Sequence, residues 1–165
     1  MHSVHVAPIV ADVVTTIQPR LVAKGLAYRV AIPPELMVKA DREKLREIVL
    51  TLLANAIKFT DRGGRITVDV ATRETGDDGG RPGIAFLRVS DTGIGIPRHK
   101  QESIFDHSVR AHRHLASATE DEGGLPRARD LAQGMGGELR VRSVEGEGSV
   151  LTLSLRMAQD ERSER

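Results

Sequence analysis

Glu47-Ile48-Val49-Leu50-Thr51-Leu52-Leu53-Ala54-Asn55-Ala56-Ile57-Lys58-Phe59-Thr60 is the stretch on which the reading of this chain turns. It continues a run that begins at Glu43, with Asp41 placed as an N-cap, and its apolar residues Leu45, Ile48, Val49, Leu52, Leu53, Ala56 and Ile57 keep a helical rhythm. That pattern predicts an amphipathic helix over 43–59, with one stripe packed on a sheet and a stop before Gly63-Gly64. Glu47, Thr51, Asn55 and Lys58, spaced by four, four and three residues, share the opposite face. An Asn oxygen suits Mg2+, which keeps several waters and takes further ligands from phosphates. Lys58 adds a point charge one turn on, and Glu47 at the far end can accept a proton. Taken alone, this set fits a solvated helix face better than a metal site.

The residues downstream change that balance. Arg65 to Thr72 alternates with Ile66, Val68 and Val70 on one face, Gly76-Asp77-Asp78-Gly79-Gly80 is turn chemistry, and Ile84 to Ser90 reads as the returning strand of a hairpin. That strand delivers Asp91-Thr92-Gly93-Ile94-Gly95-Ile96-Pro97. A carboxylate leaving a buried strand can accept from an exocyclic amine and so tell adenine from guanine, while Gly93 and Gly95 let backbone approach a flat base. Alone, the turn is equally well a capping Asp at a strand exit. Beside an Asn/Lys helix, a purine nucleotide with its metal and phosphates becomes the better reading.

Working outward, Pro8 to Lys24 has a helical rhythm ended by Gly25, Leu26 to Ile32 reads as a strand broken by Pro33-Pro34, and Leu36 to Ala40 as a second short strand. Beyond Pro97 the chain is polar and weakly patterned to Glu122, the length of a mobile loop or lid, and carries His99, His107, His112 and His114. Leu125 to Met135 predicts a helix with Pro126 near its start and Gly136-Gly137 at its end. Strands over Glu138 to Val144 and Ser149 to Leu155 flank the turn Glu145-Gly146-Glu147-Gly148.

Length and composition bound the answer. With 165 residues one domain is expected, and 24 basic against 23 acidic residues leave a net charge of +1, no field calling for nucleic acid. No cysteine is present, so disulfides and thiolate metal sites are excluded, and one Tyr, three Phe and no Trp leave the core to Val, Leu, Ile and Ala. No run approaches the roughly 18–20 consecutive apolar residues that span a bilayer, so the chain reads as soluble.

From Pro8 to Leu155 the motifs resemble the ATP-binding catalytic domain of sensor histidine kinases, whose superfamily includes the ATPase domains of DNA gyrase, MutL repair proteins and a heat-shock chaperone. Glu47 through Thr60 is similar to the family's N box, Val89 through Pro97 to its first glycine box and Ile104-Phe105 to its F box. Gly123 through Gly137 is similar to its second glycine box with the following helix, and Gly146 through Ser149 to its last glycine turn. The resemblance implies an α+β fold of the Bergerat type, a two-layer sandwich. Its mixed, mainly antiparallel sheet of about five strands is covered on one face by three helices, with a lid over about 98–124, a core over about 8–156 and a frayed tail over about 157–165.

It also implies roles. Asp91 would hold the adenine amino group, Gly93 and Gly95 would shape the base pocket, and Ser149 would join the adenine network through water. Asn55 would ligate the Mg2+ that accompanies ATP, Lys58 would touch phosphate, and Glu47 would be the base. Gly123, Gly124 and Leu125 would place backbone amides at the phosphates. The implied activity is transfer of the ATP terminal phosphoryl group to a histidine on a separate dimerisation domain, then to the receiver domain of a response regulator. The implied setting is cytoplasmic, with neither nucleic acid nor direct membrane contact from this segment.

Departures from the pattern leave a second reading open, a nucleotide-binding or scaffolding pseudokinase module. Thr51 stands where a first N-box Asn is usual, Ser108 where a second F-box aromatic is common, and the second glycine box reads Glu122-Gly123-Gly124-Leu125-Pro126-Arg127. Glu122 adds negative charge near the phosphates, and Pro126 removes one amide donor from the helix start. None of the six histidines sits in a phosphoacceptor pattern.

Overall fold

The computed structural model describes residues 1–74, 83–101, 103–105 and 124–158. Strand β1 (His2–His5) leads into α1 (Val6–Lys24), β2 (Ala27–Ala31), β3 (Met37–Ala40), α2 (Arg42–Phe59), β4 (Arg65–Arg73) and β5 (Ile84–Asp91). A single turn α3 (Arg98–Gln101) and a tighter turn at Ser103–Phe105 follow, then α4 (Gly124–Gly134), β6 (Glu138–Val144) and β7 (Gly148–Arg156).

Five strands form one mixed sheet in the order β2-β4-β5-β7-β6. Only β2 and β4 run parallel, because the connection between them passes through α2 as a crossover; the other three neighbouring pairs are antiparallel. Period-two alternation turns Ile66, Val68, Leu87, Val89, Leu139, Leu151 and Leu153 to one face, each at most 4% exposed. Register lines them up in rows across the sheet, Val68 with Val89 with Leu151, and Leu87 with Leu153 with Leu139. Against this face lie the apolar stripes of α1 (Ile9, Val13, Ile17, Leu21), α2 (Leu45, Ile48, Leu52) and α4 (Ala128, Ala132). The opposite face carries polar residues such as Arg88 and Asp69, which pair at 2.7 Å. The expected two-layer α+β sandwich is therefore what the chain forms.

Two local devices set the pose of α2. Asp41 caps its start, the carboxylate accepting the Lys44 N–H at 3.1 Å, and that bond holds the carboxyl below its ordinary range. At the other end the Lys24 ammonium donates to the carbonyls of Ile57 at 2.6 Å and Lys58 at 3.2 Å, placing a cation on the negative end of the helix.

Periodicity missed β1 and the two short helical turns that follow Pro97, Arg98–Gln101 and Ser103–Phe105. Nothing was expected before Pro8, yet His2–His5 pairs antiparallel with β3 in a separate two-stranded sheet. The reason is physical: a four-residue strand containing one apolar residue, Val4, has no readable alternation, and its pairing depends on backbone bonds to a distant segment. Helix α1, with 19 residues, is long and apolar enough by composition to cross a membrane. In this fold its stripe from Ile9 to Leu21 is the wall of the core.

Leu153 is fully buried at the centre of the sheet. Leu153→Ala should lower the unfolding free energy by about 2–5 kcal/mol, read from urea titration. A loss below about 0.5 kcal/mol would show that this row is not the packing centre.

Candidate functional site

Strand β5 ends at Asp91, and its Oδ1 accepts the Gly93 N–H at 2.9 Å, folding the chain into a tight turn. The Ser149 N–H on neighbouring β7, directly across the ladder, bonds to the same side chain. Burial pushes the Asp91 carboxyl up from its ordinary 3.8, and these two amide bonds pull it partly back. The result is a partly desolvated acceptor at the exit of a buried strand.

The turn is wedged between two other elements. On one side Ile94 N–H donates to the Phe59 carbonyl at the end of α2, at 3.1 Å, and a Cβ on Gly93 would come within 2.1 Å of that oxygen. On the other, Gly146 N–H donates to the Ile94 carbonyl at 2.6 Å, and a Cβ on Gly95 would come within 2.2 Å of the Val144 carbonyl. Gly95 also has φ of 73°, a left-handed conformation that side chains resist. The crowding at both glycines comes from protein backbone, so their small size is required by chain packing whether or not a base lies beside them. Gly95→Ala should cost at least about 1–2 kcal/mol in thermal unfolding from backbone strain, with the clash added; an unchanged melting temperature would show that the loop has another way to pack.

Ser143 on β6 is one residue that sequence reasoning missed. Its Oγ accepts the Ile96 N–H at 2.7 Å and lies 2.7 Å from Ser149 Oγ and 3.0 Å from the Gly148 carbonyl. Gln101 adds two bonds of 2.9 Å, to the carbonyls of Ile96 and Ser143. These contacts tie the Asp91 turn to the β6–β7 hairpin. The signal that could have found Ser143 is hairpin register, which sets it opposite Ser149 across the Gly146-containing turn.

From the Asp91 turn, the polar face of α2 runs back towards its N-terminus. Phe59 touches the turn through its carbonyl, and exposed Lys58 holds its ammonium 5.4 Å from the Phe59 ring centre. Asn55 follows, half-buried. Next is Thr51, whose Cγ2 lies where a Cβ on Gly124 would come within 2.8 Å, so the start of α4 rests on this point. Last is Glu47, whose carboxylate is gripped by the Arg127 guanidinium of α4. At 1.5 Å per residue, Glu47 to Phe59 is a track of roughly 18 Å. Thus Glu47, Thr51, Asn55 and Lys58 do form one line, and the Asp91 turn stands at its end. Asn55 offers one neutral oxygen, the kind of single protein ligand that would suit a Mg2+ completed by phosphates and water.

Leu125 packs on the core and Pro126 is buried in the first turn of α4, where a missing N–H interrupts no helical bond. Phe105 packs on the same core with its ring 5.2 Å from the Arg129 guanidinium, joining the F-box turn to α4. Glu122, Gly123, Ser108, His107, His112 and His114, with most of the expected lid and the tail after Ala158, lie outside the described residues.

Residues 40–159 match the family described as histidine kinase-, DNA gyrase B-, and HSP90-like ATPase. The adaptive-response sensory kinase SasA of Synechococcus sp. (strain JA-3-3Ab) is 34% identical over 153 residues, covering 90% of this chain and 38% of its own length. The mycobacterial sensor histidine kinase MprB has the same fold, with a TM-score of 0.77 at 23% identity over 96% of this chain and 99% of that one. Full-length ShkA, solved in complex with AMPPNP, has a TM-score of 0.76 at 24% identity over 97% of this chain and 32% of its own. The chain spans about a fifth to two fifths of the length of the curated relatives it matches. It belongs to the histidine kinase-, gyrase- and HSP90-like ATPase family, as an ATP-binding catalytic domain of the sensor histidine kinase kind.

Proposed function

We propose that this domain binds Mg-ATP along the track from Asp91 to Glu47 and transfers the terminal phosphoryl group to a histidine on a separate helical dimerisation domain of the same kinase. A receiver domain of a response regulator then takes the group on an aspartate. The observation that carries this reading is the docking of the Asp91 turn on Phe59, which puts a desolvated acceptor at the end of the helix bearing Lys58 and Asn55. An adenine amino group donates to Asp91, with Gly93, Gly95 and Ser149 around the base. Lys58 would meet phosphate, and Asn55 would hold the Mg2+ whose charge offsets that of the phosphates. Gly124 and Leu125 open α4 and would present amides to phosphate, while Gly123 and most of the lid expected over about 98–124 lie outside the described residues. Phosphoryl transfer then demands alignment of donor and acceptor more than covalent chemistry, with Glu47 as the base. That ShkA was solved with an ATP analogue supports the choice of nucleotide. A cytoplasmic setting without nucleic acid is the matching environment, and the net charge of +1 offers no field for a polyanion.

The test supplies the missing half: the chain is mixed with a dimerisation domain carrying the phosphoacceptor histidine and ATP labelled on its terminal phosphate. Acid-labile label on the histidine is expected. Nucleotide binding without transfer would instead support the pseudokinase reading, which the grip of Arg127 on Glu47 favours.

A further inference from the structure

We infer that Arg127 makes the site prefer a nucleoside triphosphate over a diphosphate, by neutralising Glu47 at the end of α2 where the terminal phosphate arrives. The inference rests on the nucleotide reading above and deepens it. With the base at Asp91, beside Phe59, successive phosphates extend past Lys58 and Asn55 towards Thr51 and Glu47, so the last phosphate meets a carboxylate. Left unpaired, that carboxylate repels it.

Arg127 cancels the negative charge of this end. Its Nε bonds to Glu47 Oε1, and its Nη2 lies 3.4 Å from Oε2, a two-pronged grip. A guanidinium carries five N–H donors in a rigid fork, so one that holds a carboxylate retains donors for a phosphate. Packing sets the reach of this side chain, because Gly124 seats the start of α4 against Thr51, one turn along α2 from Glu47. The same first turn contains Pro126, which contributes no N–H; a cation one residue later offsets the amide that an anion would otherwise use. The Arg127 and Glu47 side chains are 62% and 41% exposed, so the pair adds little to stability and is open to a ligand.

Calorimetric titrations of the full chain with ADP and with a non-hydrolysable ATP analogue, both with Mg2+, test this. Arg127→Gln should weaken the triphosphate about tenfold more than the diphosphate, and Arg127→Lys should recover part of the difference. Adding Glu47→Gln to Arg127→Gln should restore much of the triphosphate affinity, since the repelling charge is gone. A parent that binds both nucleotides while Arg127→Gln changes neither, or both equally, overturns this inference alone. The absence of recovery in the double variant does the same. A parent that binds neither nucleotide overturns the inference together with the nucleotide reading.

Discussion

Asp91→Asn should reduce affinity for adenine nucleotides by about 10–100-fold, the worth of a hydrogen bond to a charged acceptor in a desolvated position. The amide keeps the size of the side chain and one acceptor oxygen for the Gly93 and Ser149 N–H groups, so the turn should keep its shape. Stability should move the other way. Burial raises the Asp91 pKa, so the folded chain holds this proton to a higher pH than the unfolded chain does. Stability therefore falls as pH rises from the unfolded value of 3.8 through the raised folded one. Asn carries no such penalty, and the variant should melt no lower than the parent at neutral pH. The same shift places the acid limb of nucleotide binding at a higher pH than an ordinary carboxylate would, and Asp91→Asn should lack that limb. A variant that binds as tightly as the parent would remove Asp91 from base recognition.

Asn55→Ala should act on the metal rather than the base. Asn55 is half-buried on the outer face of α2, away from the stripe formed by Leu45, Ile48 and Leu52, so alanine, a better helix former, leaves the core intact. Loss of a neutral oxygen ligand should weaken binding of the Mg2+-ATP analogue by about tenfold or more while leaving metal-free adenosine binding unchanged. Titrations with Mg2+ and with a chelator separate the two. An equal loss in both would mean that Asn55 contacts the nucleotide directly or shapes the helix, and the metal role would fall.

Much of this molecule was legible before any coordinates. Helix α2 and the strands β4, β5, β6 and β7 repeat their apolar residues at the periods that burial demands, whereas β2 at the sheet edge is exposed throughout, and Asp41 and Gly25 mark helix ends by local chemistry. The Asp91 turn and the Asn55 face were readable because each is defined within a short span. What escaped depended on separation in sequence. β1 gains its partner from β3, Ser143 gains its role from hairpin register, and Arg127 reaches Glu47 across 80 residues. Gly93 and Gly95 were legible as glycines but not for the reason now visible, since the Phe59 and Val144 carbonyls that crowd them come from other elements.

Calorimetry of the unaltered chain with Mg2+ and a non-hydrolysable ATP analogue addresses the shared nucleotide most directly. One saturable site is expected, with a melting temperature that rises with ligand concentration. No heat and no thermal shift at millimolar ligand would contradict the assignment of Asp91 and Asn55 to a single bound molecule.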